Sequence, residues 1–357
     1  LQQAVVAYIT AGWPPEDIYV IENTGTMDAN ENGQLSLQNP FFLNHTRLQL
    51  FGVNIITTPT LLTFAQLQNF FLYVALKEKW PQYFWSHMDV GVISHEDREP
   101  YQSLYMKAVH AIRDTREPDY GRWAQILFAY DRLALVNAAA YVEVGGWDTQ
   151  IPYYGTDCDM HERLDMAGFR REDKSIGQIN DIGTSLDDLL VLYRKTNGPR
   201  PTFVDPNPPE AYDVDKEEEK AKAEEKATGK RDRAQLLHGE SNTRWPEHVR
   251  GDESYREIVK TIEMMDHSKY RSPKGRNTWQ HTQSGGQGEP YYKDPVGFET
   301  ALWMWIDHGR NVYAEKWGHK DCDLRAVGLR PEHAWRVEKD WEYRDNHPEL
   351  ENETGRV

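Results

Sequence analysis

Between Gln2 and Ile93 the chain alternates short apolar runs with one long amphipathic stretch, and no other feature limits its possible folds as much. "QQAVVAYIT" and "DIYVIENTG" read as strands, with "GWPPED" between them as a loop that could open a helix. "LFGVNIITTP" reads as a third strand. "TFAQLQNFFLYVALKEKW" carries apolar residues at helical spacing through Phe64, Leu67, Phe71, Val74 and Ala75, and "QYFWSHMDVGVI" reads as one further buried strand. Strands and helices in this order predict an α/β fold, a mostly parallel sheet with helices on its faces. Such sheets bind ligands at the carboxyl ends of their strands.

Two more helical stretches, from about Tyr101 to Ala111 and from Leu133 to Val144, frame "RWAQILFAY", an additional strand or strand pair. The α/β region ends near Lys195, so residues 1–200 form the first domain. Residues 201–240 read as a proline-rich and charged linker, including "DKEEEKAKAEEKATGKRDR", a solvated helix or spacer. Residues 241–357 read as a helical C-terminal extension packing on the first domain, with "SYREIVKTIEMMDHSKY" and "DPVGFETALWMWIDHGRNVYAEKWG" as amphipathic helices. The aperiodic "SPKGRNTWQHTQSGGQGEPYYKD" between them reads as a long loop, either a lid or plain surface.

An apolar content of 39%, with 12 Trp and 19 Tyr in 357 residues, is enough for one large core or two modest ones. The formal charge of -16 repels nucleic-acid phosphates and anionic lipid, so a polyanionic ligand needs a local basic patch or a bridging cation. No nucleic-acid partner is expected. No run approaches the roughly 18 apolar residues of a membrane span. The chain starts at Leu1 on an apolar run without an initiator methionine, which fits a trimmed or processed chain lacking its targeting segment. Localisation therefore stays open between a Golgi or ER lumen with a missing N-terminal anchor and the cytoplasm; the sequons at Asn44 and Asn352 mildly favour the secretory side. Two cysteines, Cys158 and Cys322, are too few for a disulfide scaffold or a four-thiolate zinc site, but allow one bridge.

Chemistry concentrates in "GWDTQIPYYGTDCDMHERL", where Asp157 and Asp159 open a polar, helix-like run. Thr156 and Asp159 fit a capping box, so these carboxylates are either helix caps or reagents. In "YFWSHMDVGV" a strand runs out into His87 and Asp89, which share a face in extended geometry and suit one divalent cation, Mn2+ tolerating the nitrogen ligand better than Mg2+.

Taken in order, "VIENTG", "TFAQLQN", "HMD", "GGWD" and "TDCDMHERLDMAGF" resemble the GT-A glycosyltransferases, close to family 2, over roughly residues 4 to 195. The resemblance implies a Rossmann-like GT-A fold. It also implies an inverting, metal-dependent transfer of a sugar from a nucleotide-diphosphate donor, UDP-linked in the first instance, to a glycan or glycoconjugate hydroxyl. Glu22 and Asn23 then stand where the family contacts uracil or ribose, with Thr10 and Asn69 lining the same nucleotide pocket. Asp89 binds the Mn2+ or Mg2+ that bridges the donor diphosphate, and His87 replaces the first acid of the usual DxD. Trp147 and Asp148 serve the acceptor, Trp147 with a flat face for a sugar ring. Asp157 takes the place of the catalytic base, compatible with Asp159 serving the cap.

A third metal ligand falls to His319 or Asp181, with ligand chemistry favouring His319, and Lys316 reaches toward the diphosphate. A Cys158–Cys322 bridge would pin the C-terminal segment beside the site. A catalytically silent GT-A-like domain that binds sugar or protein is the alternative, since His87 and Thr156 both replace usual acids. A metal-dependent hydrolase is a third reading.

Overall fold

In the computed structural model, which describes residues 1–23, 42–195, 198–208, 253–271 and 295–340, the first apolar run is a helix. The described elements run α1 (Gln2–Thr10), β1 (Tyr19–Glu22), α2 (His45–Leu50), β2 (Asn54–Thr57), α3 (Phe64–Lys77), β3 (Gln82–Ser86), β4 (Val90–Ile93), α4 (Leu104–Asp114), β5 (Trp123–Leu127), β6 (Leu133–Asn137), α5 (Ala138–Glu143), α6 (Thr156–Met166), β7 (Arg170–Asp173), β8 (Gln178–Asp181), α7 (Glu253–Tyr270) and α8 (Pro295–Trp317). Most of the expected 201–240 linker and the whole of the aperiodic loop before Asp294 lie outside the described residues.

The expected strand at "QQAVVAYIT" is therefore corrected to α1. Every residue from Gln3 to Tyr8 is buried, and a short run buried all round carries no periodicity that separates helix from strand. A second correction splits "QYFWSHMDVGVI" into β3 and β4, with His87, Met88 and Asp89 in the turn between them. His87 and Asp89 thus do not share one strand face. A third replaces the helix expected from Leu133 with β6, followed only at Ala138 by α5. The amphipathic α3 forms as its spacing predicts, and Thr63 closes a capping box with Gln66.

The fold is mixed α/β, built on three small sheets among the described residues: β1-β2, β3-β6-β5-β7 and β4-β8. Only the β1–β2 and β5–β7 pairings are parallel, which corrects the mostly parallel sheet. The reason lies in connection length. β5 and β6 are joined by a tight turn that permits only antiparallel pairing, whereas β1 to β2 and β5 to β7 cross over through helices.

Side chains alternate across the β5–β6 ladder, so it carries a core on each face. Leu133 and Leu135 join Val6, Val92, Leu104, Ile179 and Ile262 from α1, β4, α4, β8 and α7. Val136 and Ala124 join Leu72, Tyr141, Met160 and Leu164 from α3, α5 and α6. A smaller cluster of Ile151, Tyr313, Trp317 and Leu324 seats the end of α8 against the start of α6. Cys158 and Cys322 are disulfide-bonded there, with Cα atoms 5.2 Å apart.

Candidate functional site

The turn from β5 to β6 is the hub of the site. Its Tyr130 adopts a left-handed backbone at φ 47, a conformation that bulky side chains rarely take and that clusters at functional positions. The Tyr130 hydroxyl donates to Asp157 Oδ2 at 2.8 Å. The next residue, Asp131, sets its carboxylate 3.8 Å from Nε2 of His87, which is buried and has no hydrogen-bond partner. Ser86 donates to the Arg132 carbonyl at 2.8 Å and accepts from Tyr8 at 2.7 Å, locking the end of β3 to the same turn. One turn thereby contacts both Asp157, through Tyr130, and His87, through Asp131. Loss of water around the Tyr130 hydroxyl, then the charge of Asp157, push its pKa above the ordinary phenol value, so it remains a donor.

Asp89 belongs to an adjoining cluster. The antiparallel register of β4 and β8 sets Val90 opposite Asp181, and Ile182 donates its amide to the Asp89 carbonyl at 2.7 Å. From the last turn of α7, Lys269 Nζ reaches Asp89 Oδ2 and Asp181 Oδ1, each at 2.5 Å. Burial opposes the charge on Lys269, but Asp89 and Asp181 outweigh it and raise its pKa. Arg132 ties this cluster to the hub, donating to Tyr270 at 3.0 Å and pairing with Asp266 at 3.4 Å. As arranged, the Asp89 carboxylate is matched to the Lys269 ammonium and does not fit Mn2+ or Mg2+.

At the start of α6 the expected capping box does not form. Gly155, at φ 87, is the N-cap, and the Thr156 hydroxyl is buried without a hydrogen-bond partner. Asp159, fully buried, instead meets Arg163 Nε at 2.8 Å, Lys316 Nζ at 2.7 Å and Trp317 Nε1 at 2.9 Å. A buried lysine and a half-buried arginine win over backbone amides. Asp157, one position after Thr156, carries the Tyr130 contact and is only partly covered.

The remaining expected residues divide. Glu22 is buried and pairs with His45 Nε2 at 3.0 Å at the end of β1, while Asn23 pins the following loop through Leu62 and Thr58. Asn69 spends its amide on the backbone of Trp147, donating to its carbonyl and accepting from its N–H, each at 2.8 Å. It approaches so closely that a Cβ on Gly146 would come within 2.8 Å of Asn69 Oδ1, which is why glycine stands there at φ 73. Trp147 is 5% exposed, edge-on to Phe64, and presents no open face for a sugar. Asp148 is held by Lys316 Nζ at 2.7 Å, which keeps its pKa low despite burial. Lys316 therefore spans Asp148 and Asp159 and does not point at a phosphate site. Thr10 bonds back to the Val6 and Ala7 carbonyls at 3.0 Å and lines a separate cleft of about 550 Å³ with Val92, Ser94, Tyr101 and Arg194.

His319 is not brought to Asp89. It groups with Asp321 and Asp323, whose ligand atoms lie within 4.8 Å of one another, an arrangement that could hold a metal ion. Burial disfavours the charge on His319, but hydrogen bonds to Asp340 and Asp323 outweigh it and raise its pKa. Sequence reasoning passed over Tyr130 and Lys269. Nothing around either residue marks it, because Tyr130 matters through a backbone turn and Lys269 through a helix that is distant in sequence.

Comparison of the chain with protein-family models, curated proteins and solved structures finds no match.

Proposed function

We propose that the chain is a GT-A-type inverting glycosyltransferase that moves a sugar from a nucleotide-diphosphate donor, in the first instance a UDP-sugar, to a hydroxyl of a glycan or glycoconjugate. The observation that carries this reading is the Tyr130–Asp131 turn, which meets Asp157 on one side and His87 on the other. In the reaction the acceptor oxygen bonds to the anomeric carbon while the bond from that carbon to the donor phosphate oxygen breaks. The electron pair leaves with the nucleotide diphosphate. The hydroxyl proton passes to Asp157, acting as general base.

Tyr130 occupies one oxygen of Asp157 and so directs the other toward the acceptor. His87 holds Nε2 covered from water, 3.8 Å from the Asp131 carboxylate, and has to turn outward to donate to an oxygen of the departing diphosphate. Glu22 and His45 mark the nucleotide side, at the end of β1. No helix among the described residues is long and apolar enough to cross a membrane.

A second reading, a silent domain that binds without transfer, is favoured by one observation: Trp147 and Asp148 are both already engaged within the fold. Calorimetry with UDP and GDP, followed by a screen of nucleotide sugars for acceptor-dependent release of nucleotide, separates the two. Transfer predicts release that requires acceptor. Nucleotide binding without release supports the silent domain, release without acceptor supports a hydrolase, and absence of any nucleotide binding removes the transferase reading.

A further inference from the structure

We propose that Lys269 is the resident cation of the Asp89–Asp181 pair, occupying the place a divalent ion would take between the two carboxylates and excluding such an ion from Asp89. The proposal goes beyond the glycosyltransferase reading and stands on geometry.

Asp89 and Asp181 lie at the same ends of neighbouring strands, because the register sets Val90 opposite Asp181. Two carboxylates so placed repel unless a cation stands between them. Lys269 Nζ stands there, 2.5 Å from an oxygen of each. The backbone is shaped for its stem: a Cβ on Gly183 would lie 3.2 Å from Lys269 Cγ and 3.4 Å from its Cβ, so the lysine chain lies directly across this glycine. Nor is the helix that delivers it loosely held. Tyr270 accepts from Arg132 at 3.0 Å, Asp266 accepts from Asn180 at 3.2 Å, and the Ser268 carbonyl accepts from Asn207 at 2.9 Å.

Lys269 and Asp181 are nearly sealed, with side chains 9% and 8% exposed, whereas Asp89 at 35% is the open side. A divalent ion arriving at Asp89 meets the ammonium at contact distance, and only one of its two carboxylates is within reach of water. Exclusion follows from charge and access together.

The test titrates Mn2+ alone into the whole chain, read by calorimetry and by electron paramagnetic resonance, for wild type, Lys269→Gln, Lys269→Arg, Asp89→Asn and the double variant Lys269→Gln/Asp89→Asn. Wild type and Lys269→Arg are expected to show no Mn2+ site that depends on Asp89. Lys269→Gln gains one site, at least about tenfold tighter than any binding that wild type shows, and adding Asp89→Asn removes it. Mn2+ held by the His319 group is recognised by its persistence in every Asp89→Asn protein.

A wild-type Mn2+ site lost in Asp89→Asn overturns the proposal, as does a natively folded Lys269→Gln that gains none. If Lys269→Gln fails to fold, the comparison of wild type with Asp89→Asn still decides. Failure of sugar transfer would count against the glycosyltransferase reading and leave the cation site as measured.

Discussion

Asp157 and Asp159 stand two residues apart in the first turn of α6 and face opposite surroundings. Asp159 is fully buried among Arg163, Lys316 and Trp317, while Asp157 meets the Tyr130 hydroxyl at the edge of the candidate site. Residues two apart on a helix point to opposite sides, so one aspartate holds the fold and the other is left for chemistry.

Asp159→Asn should therefore be strongly destabilising. Removing one partner from a buried charge cluster leaves the others uncompensated and costs about 3–5 kcal/mol. Chemical denaturation of the two single variants checks the contrast. Asp157→Asn keeps an acceptor for Tyr130 and loses only the carboxylate's charge at the helix start, so a loss of about 1 kcal/mol is expected. Equal losses in both would mean that Asp157 is structural as well.

Tyr130→Phe removes the hydrogen bond that orients Asp157 and keeps the ring. A lost hydrogen bond to a charged group is worth about 1.5 kcal/mol, so kcat should fall about tenfold. The donor KM should not change. A rise in KM at constant kcat would make Tyr130 a binding residue and not a positioning one.

The Cys158–Cys322 bridge spans 164 residues and fixes the segment that carries Lys316 and Trp317 over Asp159. Replacing both cysteines with serine should lower stability by about 2–5 kcal/mol, with the same loss when wild type is reduced. Differential scanning calorimetry with and without reductant measures it. An unchanged Tm would show that the C-terminal segment is held by packing alone.

Stability should fall on both sides of neutrality, for different histidines. Burial, then Arg171, lower the His161 pKa to about 4, and burial with Arg98 and Lys107 lowers His95 to about 4. Both groups bind protons more readily when unfolded, so stability is lost as pH falls from about 6.5 toward 4. His319 has the opposite sign. Its pKa is raised when folded, so its contribution is complete below about 6.5 and is lost as pH rises through the folded value. Unfolding midpoints from pH 4.5 to 8 should trace this profile, and His161→Gln should flatten its acid limb. A midpoint that rises on acidification from 6.5 would contradict it.

What the sequence made legible follows the reach of local rules. The α3 helix could be read because its apolar spacing and capping box are local, and β1 and β5 because they are short β-rich runs bounded by turns. At α1 the same rules failed, since burial on every side erases periodicity. They failed again at Leu133, where an alanine-rich helix begins directly after a strand. Asp157 stood out through its neighbours in sequence. Tyr130 and Lys269 did not, because a turn's backbone angle and a contact across 180 residues leave no trace in spacing. Asn69, Trp147 and Asp148 sit where their motifs suggest, but their polar groups and faces are spent on one another and on Lys316.

The most direct measurement compares wild type and Asp157→Asn for acceptor-dependent release of nucleotide from whichever donor sugar the screen selects, at matched fold and matched nucleotide affinity. A general base at this position predicts a loss of about 10²–10⁴-fold in kcat with the nucleotide Kd unchanged. Full turnover by folded Asp157→Asn would contradict it and remove Asp157 from the reaction.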